Sequence, residues 1–174
     1  LGWRPTVGFP ELVERMVPFG QNPLKSKKGQ YFMADNTLSF WFPHVHGKRN
    51  PPTEGEACAF LGRRFEFFCR RFFEGHLEGR GERIIHLGKW WGAIEKEKGK
   101  FEQRDIDLVV ETDKAFYFGE CRWSNKKMGK PALALLSETA SAAFPGVKKP
   151  VKFALFSKSG FSLPEEKGLL LFDA

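Results

Sequence analysis

Asp105-Ile106-Asp107-Leu108-Val109-Val110-Glu111 and Ala115-Phe116-Tyr117-Phe118-Gly119-Glu120-Cys121-Arg122-Trp123 are the two stretches that decide the fold of this chain. Both are rich in β-branched and aromatic residues, and only Thr112-Asp113-Lys114 separates them, which is typical of a β-hairpin. Residues 83–94 have a similar composition and predict one more strand before the hairpin. We therefore expect three consecutive strands.

Apolar residues recur at three- and four-residue steps from Glu56 to about Glu74 and predict a helix there. Gly75 and Gly79 are expected to end it. The other elements expected after this helix are a charged turn or loop at 95–102, a helix at 131–143, and strands at 151–156 and 168–172. The order α-β-β-β-α-β predicts a mixed α/β domain with helices packed on a central sheet.

The first fifty residues have a different character. Residues 12–17, which Pro18 closes, and residues 31–34 predict two strands of a hairpin. A short helix at 37–45, capped by Asp35 or Asn36, is expected to follow. The tip of the hairpin is basic and carries Lys25, Lys27 and Lys28. Residues 47–55 are rich in Pro and Gly and form the best boundary, which divides the chain into 1–50 and 51–174.

The composition excludes several classes of protein. Lys and Arg number 28 against 21 Asp and Glu, giving a net charge of +7, which favours nucleic acid or an acidic protein as the partner. No apolar run approaches the roughly 20 residues that span a bilayer, so no membrane role is expected. Three cysteines without a C-x-x-C pair argue against a disulfide scaffold or a thiolate zinc site and for a reducing cytoplasm. Because the chain begins with Leu1, we expect it to be part of a longer protein.

The hairpin carries the residues that suggest chemistry. Side chains alternate along a strand, so Asp105 and Asp107 share one face, and Glu120 and Arg122 share another. If the register brings Asp107 beside Glu120, their mutual repulsion favours a divalent cation, and oxygen ligands favour Mg²⁺ or Mn²⁺. The backbone carbonyl of Cys121 would be a neutral ligand. The alternative is an ordinary hairpin face with cross-strand charge pairs.

An Asp followed after a short hairpin by Glu-x-Arg, within this order of elements, resembles the PD-(D/E)XK nuclease superfamily over residues 56–157. Glu66 on the first helix, Asp107, and Glu120-Cys121-Arg122 match its acidic and (D/E)-x-K positions. The resemblance implies metal-dependent hydrolysis of phosphodiester bonds in DNA. Asp107 and Glu120 would bind the metal, Glu66 would be a second-metal or supporting ligand, Arg122 would stabilise charge, and Asp105 would orient the site.

A narrower resemblance rests on five motifs that occur in order. They are Phe40-Trp41-Phe42, Gly88-Lys89-Trp90-Trp91, Asp105-Ile106-Asp107-Leu108-Val109, Gly119-Glu120-Cys121-Arg122-Trp123, and Phe156-Ser157-Lys158-Ser159-Gly160-Phe161. This pattern resembles the C-terminal domain of archaeal P-loop ATPases of the AAA+/STAND type, in which an ATPase module and a winged helix precede a nuclease-like domain. The N-terminal hairpin would be the wing, and the partners would be DNA and the ATPase module. No phosphate-binding loop motif occurs, so no ATP site is expected in this chain.

Arg122 departs from the superfamily pattern, which usually has Lys at this position. Arg remains charged, so it can stabilise charge but cannot act as a base. Lys126, Lys130 or a lysine from a neighbouring strand are the alternatives for that role.

Other basic residues are candidates for contact with DNA phosphates. Besides the hairpin tip they are Arg63, Arg70, Lys126, Lys127 and Lys130. The alternative for the helix arginines is a solvated face that pairs with Glu66 and Glu74. For the whole domain, the alternatives to a nuclease are an inactive DNA- or protein-docking domain of the same ATPase and a scaffold that forms homo-oligomers.

Overall fold

The structure, a computed structural model, describes residues 12–164 and 166–173. It confirms a mixed α/β fold. The strands are β1 (Val13–Met16), β2 (Gln30–Met33), β3 (Ile84–Glu97), β4 (Lys100–Thr112), β5 (Phe116–Arg122), β6 (Val151–Ser157) and β7 (Leu169–Asp173), and the helices are α1 (Asn36–His44), α2 (Glu54–Gly79) and α3 (Lys130–Ala143).

The central sheet has five strands in the order β3-β4-β5-β6-β7. The first three are antiparallel neighbours, whereas β6 runs parallel to β5 and β7 runs parallel to β6. Because β5 and β6 are parallel, the chain must cross from one end of the sheet to the other, and α3 makes this crossover. The strands predicted from the sequence at 151–156 and 168–172 are confirmed as β6 and β7.

The two long helices lie on opposite faces of this sheet. Residues of α2 and α3 form separate cores with alternate sheet residues. The α2 core contains Phe65, Cys69, Phe73, Leu77, Leu108, Val110, Ala115, Tyr117, Ala154 and Phe156. The α3 core contains Ile106, Val109, Phe118, Met128, Ala132, Leu136, Ala140 and Leu155. Each helix therefore presents a different set of side chains to the sheet, and chemistry on the α2 face is separated from α3.

The helix α2 extends beyond the predicted end at Gly75. It begins at Glu54 because Thr53 forms a capping box with Glu56, and it continues to Gly79. Phe73 and Leu77 are fully buried at the spacing set by the earlier apolar residues, so their packing holds the last turns in helical form despite the glycines.

The charged segment at 95–102 was expected to be a turn or loop, and only its centre is a turn, since residues 95–97 and 100–102 belong to strands. Here β3 and β4 extend into a long antiparallel hairpin that pairs Glu97 with Lys100 and turns at Gly99, which has a φ of 80°. A turn this tight needs the left-handed conformation that glycine adopts easily. The charged side chains lie on an exposed extension, so they impose no cost on strand formation.

The N-terminal hairpin and α1 pack against the larger sheet and α2. Asp35 accepts a hydrogen bond of 2.7 Å from the Leu38 amide and caps α1, as predicted. Arg64 of α2 donates to the carbonyl of Met33 at 2.8 Å and to the Ser39 hydroxyl. These contacts fix the hairpin beside α2. Among the described residues, no helix is long and apolar enough to cross a membrane.

Candidate functional site

An irregularity in β4 shapes the candidate site. Gly88 pairs with Val109 and Trp90 pairs with Ile106, so Lys89 lies opposite two residues, Asp107 and Leu108. This extra residue is a β-bulge, which locally re-aims side chains. Ile106 and Val109 both pack in the α3 core, while Leu108 packs in the α2 core. The bulge thereby keeps Asp107 on the α2 face together with Leu108.

Lys89 is the centre of a cluster of carboxylates on that face. Its Nζ lies 2.8 Å from Asp107 Oδ1, 2.9 Å from Glu66 Oε2 and 3.1 Å from Asp105 Oδ2. The side chains of Lys89 and Asp107 are only 16% and 9% exposed, whereas Asp105 is 61% exposed. The three carboxylates come from α2 and β4, so one ammonium joins the helix to the sheet.

The strands β4 and β5 separate beside this cluster. Their pairing runs from Glu111 and Phe116 to Leu108 and Gly119, the last registered pair. Beyond that pair β4 continues along β3 and β5 continues along β6. Asp107 Oδ2 accepts a hydrogen bond of 3.0 Å from the Cys121 amide across the gap. The predicted carboxylates Asp107 and Glu120 thus lie where the two strands part.

Glu120 and Arg122 form a second charge pair on β5. Arg122 Nη2 lies 3.4 Å from Glu120 Oε1, and the Arg122 side chain is 42% exposed. Arg122 therefore contacts Glu120, while Lys89 is the cation in contact with Glu66, Asp105 and Asp107.

The acidic groups of the cluster are under electrostatic strain. Burial and the charge of Asp107 raise the pKa of Glu120 to about 7, although Arg122 opposes the shift. Burial and the same Asp107 charge raise the pKa of Glu66, which Lys89 opposes. Burial alone would lower the pKa of Lys89, but its hydrogen bonds and attraction to Asp107 and Glu66 raise it above the ordinary value. Lys89 consequently remains an ammonium at neutral pH.

The donor set suits a hard divalent cation. Glu66, Asp105, Asp107 and Glu120 supply oxygen ligands of the kind that Mg²⁺ and Mn²⁺ prefer. Burial first, and then the negative charge of Asp107, raise the pKa values of Glu66 and Glu120, and a bound cation would oppose both effects. Among the residues that the structure describes, no three acidic, His or Cys side chains stand in ready metal-binding geometry, and Lys89 lies between three of the carboxylates.

Cys121 is a packing residue at this site. Its side chain lies against the α2 core. A hydrogen bond with Cys69, together with burial, raises the pKa of the Cys121 thiol. The thiol is neutral at physiological pH and packs as a small core residue. Its backbone carbonyl remains a predicted metal ligand.

The basic residues predicted to bind DNA are mostly on the surface. Lys25, Lys27 and Lys28 are exposed on the connection between β1 and β2, Lys126 and Lys127 are exposed between β5 and α3, and Lys130 is exposed at the start of α3. Arg63 is exposed on α2, whereas Arg70 is half-buried there. Of the two arginines, Arg63 is therefore the more accessible to solvent.

The sequence left open which residue takes the position of the lysine in the resemblance, with Lys126, Lys130 and a lysine from a neighbouring strand as the alternatives. The structure places Lys89 of β3 in the cluster. A signal for it existed in Gly88-Lys89-Trp90-Trp91, where a single lysine interrupts a strand rich in apolar residues. Trp90 of the same motif packs against the α3 core, and its ring lies 5.9 Å from that of Phe144.

The residues of the candidate site lie in a part of the chain that is similar to other proteins. Residues 53–133 match the family DUF234, described as archaea bacterial proteins of unknown function, over slightly less than half of the chain. The chain is also 26% identical, over 130 residues, to an uncharacterised protein of Methanocaldococcus jannaschii. That alignment covers 67% of this chain and 27% of the relative, so the chain spans about a quarter of the relative's length. No solved structure matches significantly.

Proposed function

We propose that this chain is a metal-dependent deoxyribonuclease domain that hydrolyses phosphodiester bonds in DNA. The observation that carries the proposal is the convergence of Glu66, Asp105 and Asp107 on Lys89 at the point where β4 and β5 separate. Four carboxylates and a buried lysine at a break in a sheet are costly for stability alone, and such strained groups cluster at functional sites.

The arrangement of elements supports the resemblance to the PD-(D/E)XK superfamily. A long helix, three antiparallel strands, a crossover helix and a parallel strand follow one another in the expected order. Glu66 lies on the helix, Asp107 on the second of these strands and Glu120 on the third, and Lys89 joins the first two. The matched archaeal relative is much longer than this chain, which is compatible with an additional module such as a P-loop ATPase and a preceding winged helix.

Each residue of the site has a separate role in the proposed reaction. Asp107 and Glu120, with the Cys121 carbonyl, would hold Mg²⁺ or Mn²⁺, and Glu66 and Asp105 would support them. The metal, when bound, polarises the phosphate and lowers the pKa of a bound water. Lys89, kept protonated by the carboxylates, orients Asp107 and supplies positive charge for the transition state rather than acting as a base. Arg122, paired with Glu120, contributes charge from the more exposed side.

A cleavage assay tests this proposal. Supercoiled plasmid and branched DNA are incubated with the protein and Mg²⁺, Mn²⁺ or EDTA. The wild type is compared with Asp107→Asn and with Asp113→Asn, which removes one acidic charge at the β4–β5 turn. We expect nicking that needs the metal, persists in Asp113→Asn and disappears in Asp107→Asn. Nicking at equal rates in all three proteins would refute the assignment of the site.

Exposed aromatic residues favour a second candidate, an inactive domain that docks a partner. Phe68 and Phe72 of α2 are 63% and 46% exposed, which is unusual for such large apolar side chains. Absence of cleavage by the wild type, together with DNA binding that Asp107→Asn leaves unchanged, would favour this candidate over the nuclease.

A further inference from the structure

Arg70 is a half-buried charged residue that makes no salt bridge with the other residues that the structure describes. It lies one helical turn after Glu66 on α2, and its Nε is removed from solvent. Among the described residues, that Nε has no hydrogen-bond acceptor. A guanidinium carries five N–H donors, and the Nε–H is one that the described residues leave unused.

The contacts that Arg70 does make are weak ones. Its Nη1 lies 3.5 Å from the sulfur of Met16, and its guanidinium lies 5.3 Å from the centre of the Phe67 ring. Arg64, on the same helix, contrasts with it because it donates to the Met33 carbonyl and the Ser39 hydroxyl. Arg64 therefore fastens the hairpin, whereas Arg70 contributes little that a Met side chain would not replace.

Arg70 is also close to the carboxylate cluster. The charges of Glu66 and Asp107 both act on it, and they offset part of the burial that lowers its pKa. In contrast to Lys89, whose ammonium is surrounded by three carboxylates, Arg70 keeps donors available for an added anion. Burying an N–H donor without an acceptor is unfavourable, and a ligand that supplies the acceptor removes that cost.

We propose that Arg70 binds a phosphate group of a nucleic acid lying against the carboxylate cluster. Arg suits this ligand because its planar fork donates two parallel hydrogen bonds to phosphate oxygens. The inference rests on the proposed function for the identity of the ligand. It adds a substrate-positioning residue that lies on α2, contacts Met16 of β1, and is distinct from the exposed lysines of the hairpin tip.

The test is DNA binding without catalysis. Fluorescence anisotropy of a short labelled duplex is measured in EDTA over a series of salt concentrations for wild type, Arg70→Met, Arg70→Lys and Arg71→Met. Arg71 is the matched control because it is the next residue on α2, carries the same charge and is 84% exposed. We expect Arg70→Met to weaken binding about ten-fold or more, and Arg71→Met to change it only slightly. The slope of log K against log salt should fall by about 0.9 in Arg70→Met, the value for one lost phosphate contact. The affinity of Arg70→Lys for DNA should lie between those of Arg70→Met and Arg71→Met.

Equal weakening in Arg70→Met and Arg71→Met would mean that only net charge matters and would overturn the inference, as would unchanged binding in Arg70→Met. Thermal unfolding distinguishes a binding role from a purely structural one. If Arg70 serves binding, the melting temperature of Arg70→Met should equal or exceed that of the wild type. A clearly lower melting temperature, with normal binding in Arg70→Lys, also overturns it. The binding assay does not measure cleavage, so the two proposals can fail separately. If Arg70→Met binds DNA weakly but the wild type shows no cleavage in the separate nicking assay, the nuclease proposal fails and the role of Arg70 in binding stands.

Discussion

Replacing Lys89 by Met should destabilise the protein strongly, because the change leaves buried carboxylates without their cation. The Asp107 side chain is 9% exposed and the Glu66 side chain 26% exposed, and each is within hydrogen-bond distance of Nζ. Removing one partner of a buried ion pair costs about 3–5 kcal/mol. The contact with the well-exposed Asp105 adds at most about 1 kcal/mol. We therefore expect a loss of about 3–5 kcal/mol at neutral pH in EDTA.

The loss should depend on pH in a defined direction. Since the pKa of Lys89 is raised, its stabilising charge is present below its unfolded pKa of about 10.4 and disappears only above the folded pKa, so it stays constant between about pH 5 and 8. The pKa of Glu66 is also raised, and Lys89 is the group that restrains the shift. In Lys89→Met the neutral form of Glu66 becomes more favourable still, so the loss of stability should shrink as the pH falls toward the ordinary pKa of a glutamate, about 4.3.

The assay is denaturant unfolding followed by circular dichroism at several pH values. Lys96→Met is the control, since its pairing with Glu102 at 3.5 Å lies on the exposed β3–β4 hairpin and its loss should leave the stability close to that of the wild type. A loss below about 1 kcal/mol in Lys89→Met, or one that grows on acidification, would refute the description of a buried ion cluster.

Three further substitutions follow from the same geometry. Gly119→Ala should destabilise by about 1–3 kcal/mol, because the added Cβ would lie 3.0 Å from the Ala154 carbonyl oxygen; denaturant unfolding measures this, and an unchanged midpoint would contradict it. Tyr117→Phe should cost about 1–3 kcal/mol in the same assay, since its hydroxyl donates at 2.8 Å to the buried Glu82; a change within about 0.5 kcal/mol would contradict the contact. Arg122→Met should retain more DNA nicking than Lys89→Met, because the Arg122 side chain is 42% exposed and Lys89 contacts three carboxylates. Initial rates of plasmid nicking measure this, and a slower rate in Arg122→Met than in Lys89→Met would make Arg122 the main cation of the site.

The sequence predicted most of the fold because local patterns determine it. Runs of β-branched and aromatic residues marked the strands of the central hairpin, and apolar residues at three- and four-residue steps, such as Phe65 and Phe68, marked α2. The errors have physical causes. The end of α2 was misjudged because tertiary burial of Leu77 outweighs the propensity of Gly75. The β3–β4 extension was missed because charged residues in an exposed two-stranded ribbon carry no apolar alternation.

The site was only partly predictable for a related reason. Alternation alone places Asp107 on the face opposite Leu108, away from Glu66, and only the bulge opposite Lys89 brings it to the α2 side. A bulge depends on pairing between two strands, so one strand's composition does not reveal it. The role of Lys89 depends on the same pairing. Arg70 was assigned to an exposed face because helical spacing does not show that β1 covers part of that face.

Binding of Mn²⁺ is the measurement that tests the central claim most directly, since it requires no knowledge of the DNA substrate. Free Mn²⁺ is titrated by electron paramagnetic resonance against the wild type, Asp107→Asn and the control Asp113→Asn. The carboxylate cluster predicts saturable binding in the wild type and in Asp113→Asn, and its loss in Asp107→Asn. Equal binding by all three proteins, or no binding by any of them, would contradict a metal-dependent centre at Asp107.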